Sequence, residues 1–271
     1  MTDDQVALGE RFESDGYVIV EPSDREALDL LAERVMTAGN KWLNEAGREG
    51  GLESLELSHQ VVSLESVNSL RVSVFESLNA DVTTRGLYFA VGRSALECIV
   101  GNELAMQTKV NLSIQQPQDE ASVLEIHSDV WTGDSPFQVV LWVPLVDTQE
   151  SNGMFFLPPT QSYEAFRKVR SGELHSMREV HRHYKAKILN LELNFGQILI
   201  FNSNCLHGNQ INRTSRTRWS LNSRFVSLLA PSTNPERRLG SYYSPITMRP
   251  ATRMGLEYLR LVDDFSRESL S

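Results

Sequence analysis

A change of pattern near residue 105 is the feature that most constrains the fold of this chain. In "QTKVNLSIQQ", the apolar residues Val110, Leu112 and Ile114 alternate with polar residues, which is the period of a half-buried strand. About eight short strand-like segments follow one another to residue 230, and turn-rich stretches such as "DTQESNG" separate them. This part of the chain therefore predicts an antiparallel β structure.

The first hundred residues favour helices instead. In "SDREALDLLAERVMTAGNKWLNEAG", Ser23 is a candidate N-cap, and apolar residues recur at the helical spacing of Leu28, Leu31, Val35 and Met36. "ATRMGLEYLRLVDDFSRESL" predicts one more helix near the C-terminus. A helical first third followed by many short strands predicts a mainly β protein, a double-sheet jelly roll with flanking helices.

The chain of 271 residues suits one large domain. We predict a single domain over 1–271, with a mostly helical support over 1–104 and a jelly-roll core that carries the site over 105–230. Residues 231–271 form a C-terminal extension with a helix. The segment 161–186 is a polar, partly helical excursion from the core, which we interpret as a solvated face or a mobile lid.

Composition excludes some partners. Lys and Arg total 26 and Asp and Glu total 35, for a formal charge of −9, which disfavours nucleic-acid binding. We expect no membrane partner, because no apolar run approaches the roughly 18 residues of a membrane span. The N-terminus is too polar for a signal peptide, and two distant cysteines, Cys98 and Cys205, favour a reduced, cytoplasmic protein. A homo-oligomer is left open.

The stretch "LEIHSDVWTGDSP" carries the first candidate for chemistry. His127 and Asp129 stand two apart on a predicted strand, so their side chains point to the same face and could reach one metal ion. A His-x-acid pair is a common chance occurrence in an acidic chain. The alternative is an exposed polar pair near a strand end.

His207 adds a third candidate ligand. It ends the predicted strand "GQILIFNSNCLH", 78 residues after Asp129, and a jelly roll can bring a late strand beside an early one. Two imidazoles and one carboxylate on one face of a metal leave three positions open, the arrangement of non-haem iron(II) oxygenases. A chelating cosubstrate and O2 can occupy those positions. Another metal in the same cage, or no metal, is the alternative.

Arg218, 11 residues after His207, raises the case for an oxygenase. On its predicted strand Arg218 shares a face with Ser220, Asn222 and Arg224. A guanidinium beside a hydroxyl is a good cradle for a carboxylate, such as the far carboxylate of 2-oxoglutarate. The alternative is a surface salt bridge on an edge strand.

With these features, the sequence resembles the phytanoyl-CoA dioxygenase-like (PhyH) branch of the iron(II)/2-oxoglutarate oxygenases. The elements that match are F-x-x-D-G-Y-V-I-V at 12–20, "HSD" at 127–129, "SNGMFFLPPTQS" at 151–162, and "HGN" followed by Arg218. The resemblance implies a double-stranded β-helix, that is, a cupin-like jelly roll. It also implies Fe(II), 2-oxoglutarate and O2, with release of succinate and CO2 as a substrate is oxidised.

The resemblance also implies roles for individual residues. His127, Asp129 and His207 match the iron ligands, and Arg218 matches the anchor of 2-oxoglutarate. Other positions match contacts of the cosubstrate: Trp142, and Gln115 with Asn111 and Ser113 on an upstream strand. Asn209 stands where the family often has Ser. The alternative for Trp142 is a place in the apolar core.

Asp129 also bears on the reaction, because in the related halogenases a small residue stands at this position. The carboxylate therefore favours hydroxylation. Trp131 could line the mouth of the site, and Asn222 and Arg224 suggest a small polar or anionic substrate, derived from a sugar or an amino acid. For Arg224 we favour the alternative of a structural salt bridge.

Two other functions compete with the oxygenase. A cupin-type isomerase or lyase would hold Zn, Mn or Ni in the same three ligands, but it has no need of Arg218. A non-enzymatic jelly-roll binding module would hold no metal.

Overall fold

A computed structural model describes residues 2–48, 50–231 and 234–268. The helices are α1 (Asp3–Asp15), α2 (Arg25–Glu45), α3 (Leu64–Ala80), α4 (Thr84–Ile99), α5 (Pro159–Ser171), α6 (Met177–Tyr184) and α7 (Pro250–Glu268). The strands are β1 (Tyr17–Val20), β2 (Leu104–Gln107), β3 (Asn111–Gln115), β4 (Val139–Pro144), β5 (Met154–Phe156), β6 (Leu189–Leu191), β7 (Ile198–Asn202), β8 (His207–Gly208), β9 (Arg218–Ser227) and β10 (Tyr243–Thr247).

The strands form two antiparallel sheets. The large sheet has the order β1-β7-β4-β9-β2-β10, and β3 also pairs with β9; the small sheet has the order β6-β5-β8. β9 is central, because it pairs with β4 on one side and with both β3 and β2 on the other. This arrangement confirms the predicted fold class, a cupin-like jelly roll with flanking helices.

Alternation along the strands gives the large sheet two apolar faces. In β4, Leu141 and Val143 face the helices, whereas Val140 and Trp142 face the small sheet. In β9, Trp219 packs with the helices. The face between the sheets is the one on which polar side chains of β9 project, so the pattern of the strands places them inside the jelly roll.

Helices α2, α3 and α4 cover the outer face of the large sheet through buried residues such as Leu28, Leu70 and Leu96. The N-cap of α2 is Asp24, whose carboxylate accepts a hydrogen bond from the Ala27 N–H at 2.9 Å. The prediction of Ser23 was wrong, because its hydroxyl accepts from the Ser94 N–H of α4 and so links two helices.

The predicted strand "QTKVNLSIQQ" begins later than its alternation suggests. Both backbone groups of Val110 are bonded at 2.9 Å by the side chain of Asn79 on α3, so strand pairing starts at Asn111. Residues before this point form the separate strand β2, which alternation alone does not distinguish from β3.

The excursion over 161–186 contains α5 and α6. Val180 and Tyr184 of α6 are buried with Phe155 and Leu157 of the β5 region. The interpretation of this segment as a polar excursion with a solvated face is therefore wrong for one side of α6, which packs on the protein.

The chain ends also join the large sheet. β1 pairs with β7 and β10 with β2, so both the N-terminal and the C-terminal segments supply strands. Within the part of the chain that the structure describes, no helix combines the length and apolarity needed to cross a bilayer. Both cysteines, Cys98 and Cys205, are free thiols.

Candidate metal centre

The segment that carries His127 and Asp129 is not the strand that its sequence predicts. His127 forms a single β-bridge with His207, with two backbone hydrogen bonds of 2.9 Å. A 3₁₀ helix, Asp129–Thr132, begins directly afterwards and ends at Gly133, whose φ of 96° suits glycine. The turn of this helix, rather than strand alternation, therefore directs the Asp129 carboxylate inward.

His207 also lies on a different element from the one predicted. The strand β7 ends at Asn202, a turn follows in which the Cys205 N–H donates to the Asn202 carbonyl at 3.0 Å, and His207 begins β8. This break moves His207 from the large sheet to the small one, opposite Phe156.

Gly208 permits the close approach of two segments beside His207. A Cβ atom there would lie 2.6 Å from both the Leu124 carbonyl oxygen and the Phe155 ring. Any other residue would force the segment before His127 or the Phe155 ring to shift, so the close approach requires glycine.

The three side chains meet in one cluster. Asp129 Oδ1 lies 3.7 Å from His127 Nε2 and 3.9 Å from His207 Nε2, and the candidate ligand atoms all lie within 4.8 Å of one another. Asp129 and His207 are buried, and His127 is partly exposed at the cavity. Two imidazole nitrogens and one carboxylate oxygen form a donor set that suits a divalent transition metal.

Backbone carbonyls orient both imidazoles. His127 Nδ1 lies 2.8 Å from the Glu125 carbonyl oxygen, and His207 Nδ1 lies 3.0 Å from the Cys205 carbonyl oxygen. A carbonyl only accepts, so each Nδ1 carries the proton and each Nε2 lone pair points into the cluster. Phe201 packs edge-on against the His207 ring with centroids 4.7 Å apart and restricts its rotation.

The electrostatics keep these groups in the states that metal binding needs. Burial lowers the pKa of His207 to about 4, so its imidazole is neutral at neutral pH. Burial alone would raise the pKa of Asp129. The interactions of Asp129 with His127, His207 and the Arg224 guanidinium outweigh that effect and hold this pKa well below its usual range.

A cavity of about 670 Å³ opens beside the cluster. Its walls come from both sheets, the loop before His127 and helix α3; among the predicted site residues they include Trp142, Asn209, Arg218, Asn222 and Arg224, together with the cluster itself. A volume of this size suits a small-molecule ligand.

Arg218 is the most unusual group in the wall. It is 4% exposed. Its Nη atoms lie at the long distances of 3.3 Å from the Asn152 carbonyl and 3.3 Å from the Ser113 hydroxyl, and Nε has no hydrogen-bond partner among the described residues. No carboxylate of the described residues pairs with it. Burial lowers its pKa to about 10, so it remains a cation at neutral pH.

Two further buried polar atoms near Arg218 lack partners among the described residues, the Ser220 hydroxyl and Gln115 Oε1. Ser220 lies opposite Ser113, and Gln115 opposite Arg218, in the pairing of β3 with β9. Buried polar groups are normally bonded, so a cation without a carboxylate partner and a hydroxyl without a hydrogen bond indicate a place for an anionic ligand.

The remaining residues predicted to contact the cosubstrate differ in whether they line the cavity. Asn111 donates to Asn222 at 3.2 Å, and Gln115 donates to the Gln210 carbonyl at 2.7 Å; neither is among the described residues that line the cavity. Asn209 lines the cavity, but its amide is hydrogen-bonded to the Leu124 N–H and the Ser122 carbonyl. It therefore holds this segment in place at the edge of the cavity.

Trp131 lies outside the described lining. Its ring packs against Phe166 of α5 with centroids 5.8 Å apart, and 37% of the residue is exposed. The 3₁₀ helix that turns Asp129 inward directs Trp131 towards α5 instead of the cavity mouth.

Sequence reasoning missed the wall that α3 supplies. Leu64, Val67, Asn68 and Arg71 line the cavity at positions i, i+3, i+4 and i+7 of this helix. That spacing was visible in the sequence as a second face beside the buried Leu70 face, but a surface helix has many such stripes. Asp119, which also lines the cavity, was not predicted either.

Several solved structures share the architecture of this chain. ThoJ, a non-haem monooxygenase solved as a nickel complex, is 19% identical over 90% of this chain and 85% of its own, with a TM-score of 0.57. SnoK, a non-haem alpha-ketoglutarate-dependent carbocyclase from nogalamycin biosynthesis, is 14% identical over 91% of this chain and 97% of its own, with a TM-score of 0.55. HygX from Streptomyces hygroscopicus, solved with nickel and 2-oxoglutarate bound, is 12% identical over 89% of this chain and 96% of its own, with a TM-score of 0.51.

At these identities the likeness concerns the fold. Comparison with curated protein sequences gives no match. Fold and site together define a jelly roll of the non-haem iron oxygenase class, with a His–Asp–His cluster between its sheets. More narrowly, the chain belongs to the phytanoyl-CoA dioxygenase (PhyH) family, whose model matches residues 12–220. This family uses Fe(II), 2-oxoglutarate and O2, in agreement with the predicted cofactors.

Proposed function

We propose that this protein is an Fe(II)/2-oxoglutarate-dependent dioxygenase that hydroxylates a small polar metabolite and releases succinate and CO2. The observation that carries this proposal is the pairing of two features in one cavity. One is the buried His127–Asp129–His207 cluster, and the other is a buried Arg218 without a carboxylate partner among the described residues. A metal fits the first feature, and a dicarboxylate cosubstrate fits both.

In this proposal His127, Asp129 and His207 hold iron through two Nε2 atoms and one carboxylate oxygen. Bound iron with 2-oxoglutarate and O2 supplies the oxidising power that protein side chains lack. The chain presents the ligands in the right protonation state and orientation, through the carbonyl bonds to each Nδ1. It also keeps bulk water from the buried sides of the cluster.

Arg218 takes the far carboxylate of 2-oxoglutarate, with the hydroxyls of Ser220 and Ser113 as further donors. The guanidinium offers a planar fork that matches a carboxylate, and its long contacts to the Asn152 carbonyl and the Ser113 hydroxyl are readily exchanged. Trp142 forms the adjoining wall. Gln115 and Asn111 act on the cavity indirectly, through their hydrogen bonds to Gln210 and Asn222 respectively. Asn209 holds the segment over 122–124 at the edge of the cavity.

The cavity supports a substrate of mixed character. Asn68, Arg71, Asp119 and Asn222 supply polar groups, while the walls between them are apolar. Arg71 is bonded at 2.8 Å to the Asn68 amide oxygen, and it forms no ion pair with any described carboxylate. A small metabolite with an anionic group, such as a sugar acid or an amino-acid derivative, fits these walls.

Hydroxylation is supported over halogenation because the Asp129 carboxylate occupies the position that a halide would need. The competing function, a cupin-type isomerase or lyase, is less well supported because it does not need the buried Arg218 cation.

Two free thiols support a reducing compartment, and we place the protein in the cytoplasm.

The direct test is an anaerobic titration of the apoprotein with Fe(II) and then with 2-oxoglutarate. We expect a weak visible charge-transfer band to appear only when both are present, because the cosubstrate chelates the bound metal. Succinate release is then measured with panels of sugar acids and amino-acid derivatives. A protein that binds Fe(II) but shows neither the band nor 2-oxoglutarate binding would contradict the proposal.

Arg71→Gln is expected to weaken recognition of the best anionic substrate from that panel. Because Arg71 is partly exposed, its contribution is about 1 kcal/mol, or roughly a fivefold rise in KM, with kcat little changed. Arg93→Gln serves as the matched control, since Arg93 is an exposed helical arginine paired with Glu97. An unchanged KM for Arg71→Gln would remove this residue from the substrate site.

A further inference from the structure

A chain of charged groups, of which the two carboxylates are buried, runs from Asp129 away from the cavity. Arg224 Nη2 lies 3.1 Å from Asp129 Oδ2, and Arg224 Nε lies 2.8 Å from Asp134 Oδ2. Arg237 pairs with the other oxygen of Asp134. The carboxylate of Asp134 is 1% exposed and that of Asp129 is 5% exposed, so these contacts are shielded from water.

Hydrogen bonds and a ring contact hold Asp134 and Arg237, which form the far end of this chain of charges. Gln138 Nε2 donates to Asp134 Oδ2 at 3.1 Å, and Tyr243 Oη donates to Gln138 Oε1. The Arg237 guanidinium lies 4.6 Å from the Tyr242 ring centre. Strand β10 and the segment before it are thereby connected, through Asp134, to Arg224.

The two oxygens of Asp129 therefore have different environments. Oδ1 faces both imidazole nitrogens, at 3.7 and 3.9 Å, whereas Oδ2 forms an ion pair with Arg224 and has no aligned hydrogen bond with any described residue. Arg224 is itself restrained, since its Nε forms an ion pair with Asp134 at 2.8 Å, although without an aligned hydrogen bond, and its Nη1 donates to the Gln107 amide oxygen at 3.4 Å. An arginine held on two sides can fix a third group in one orientation.

We propose that Arg224 is a positioning residue that holds Asp129 Oδ2 and so presents Oδ1 alone to the metal. This inference rests on the proposed function. A carboxylate that uses one oxygen takes up one coordination position, which keeps the remaining positions for the cosubstrate and O2. Two carboxylates and two guanidinium groups already balance each other in this chain of charges. Arg224 is therefore not the receptor for an anionic substrate, although it lines the cavity.

The test measures Co(II) binding to the apoprotein, with Co(II) as a spectroscopic substitute for Fe(II). For Arg224→Met we expect a roughly 10- to 100-fold loss of Co(II) affinity, the usual effect of removing an outer partner of a metal ligand. We also expect altered visible ligand-field bands, because the freed carboxylate can turn or bind through both oxygens. A protein destabilised only in general would change its melting temperature but not the spectrum of its bound metal.

Two milder substitutions keep the inference testable if Arg224→Met does not fold. Arg224→Lys keeps the charge but cannot reach both carboxylates, and Asp134→Asn removes one anchor of Arg224. We expect each to lower Co(II) affinity by about three- to tenfold, less than Arg224→Met. Arg93→Met is the control and should bind Co(II) like the parent protein.

The outcomes separate this inference from the proposed function. A parent protein that binds neither Co(II) nor Fe(II) contradicts the proposed function itself. If the parent binds Co(II), and all three variants show the parent affinity and spectrum, the positioning role is wrong. A rise in substrate KM with an unchanged metal site in Arg224→Lys would instead assign Arg224 to the substrate.

Discussion

Asp129→Ala is expected to abolish metal binding and turnover. The change removes one of three candidate ligands, so the loss of Fe(II) or Co(II) affinity should exceed the roughly 100-fold that outer partners of a ligand can cost. Folding should survive, because Arg224 keeps its ion pair with Asp134 at 2.8 Å. The measurements are metal affinity by calorimetry, succinate release, and the near-ultraviolet circular dichroism of the apoprotein.

Glu125→Gln is the matched control for this prediction. Glu125 lies four residues before Asp129, its carboxylate is 62% exposed, and it pairs with Arg178 at 3.5 Å. Its backbone carbonyl, which orients His127, is unaffected by the substitution. Parent-like metal affinity in Asp129→Ala would show that the cluster is not the metal site.

Arg218→Met is expected to eliminate 2-oxoglutarate binding while metal binding remains. Truncating one partner of a buried charged pair costs about 2 to 5 kcal/mol, which corresponds to a roughly 30- to 4,000-fold loss of affinity. Anaerobic titration should show Fe(II) bound at parent affinity, with the charge-transfer band absent until far higher 2-oxoglutarate concentrations. Arg218→Lys should recover part of this loss, since a lysine keeps the charge but not the planar fork.

The free protein offers a second readout for Arg218→Met. In the absence of ligand, Arg218 is a buried cation with long hydrogen bonds and no carboxylate partner among the described residues. Its replacement by an apolar side chain should leave the melting temperature of the apoprotein unchanged or raise it. Arg216→Met is the control, because Arg216 precedes the same strand and forms an exposed pair with Glu56. A large fall in melting temperature with intact 2-oxoglutarate binding would identify Arg218 as purely structural.

The fold class could be predicted because its signals are local. Alternation along β3 and β9 reports which side chains face each layer, and apolar spacing marks the buried stripe of α2. Errors arose where a distant partner decides the local backbone. Asn79 delays the start of β3, and Ser94 takes the hydroxyl of Ser23 that was expected to cap α2.

The candidate site was predicted as a set of residues but not as a geometry. The residue types of His127, Asp129, His207 and Arg218 pointed to one chemistry. Their meeting was attributed to two strands, whereas the structure achieves it with a β-bridge, a 3₁₀ helix and a break after β7. Such irregular segments have no periodicity that a sequence pattern can reveal.

The amino-acid sequence by itself determined the layers of this protein and the kinds of donor available to a ligand, because periodicity and side-chain chemistry are properties of short stretches. Only the tertiary structure decided which donors face the cavity. Arg224 is bound by carboxylates 95 and 90 positions earlier, at Asp129 and Asp134, and α3 closes one wall from even farther away along the chain. Contacts between such distant segments depend on how the packed sheets and helices align, which no local pattern encodes.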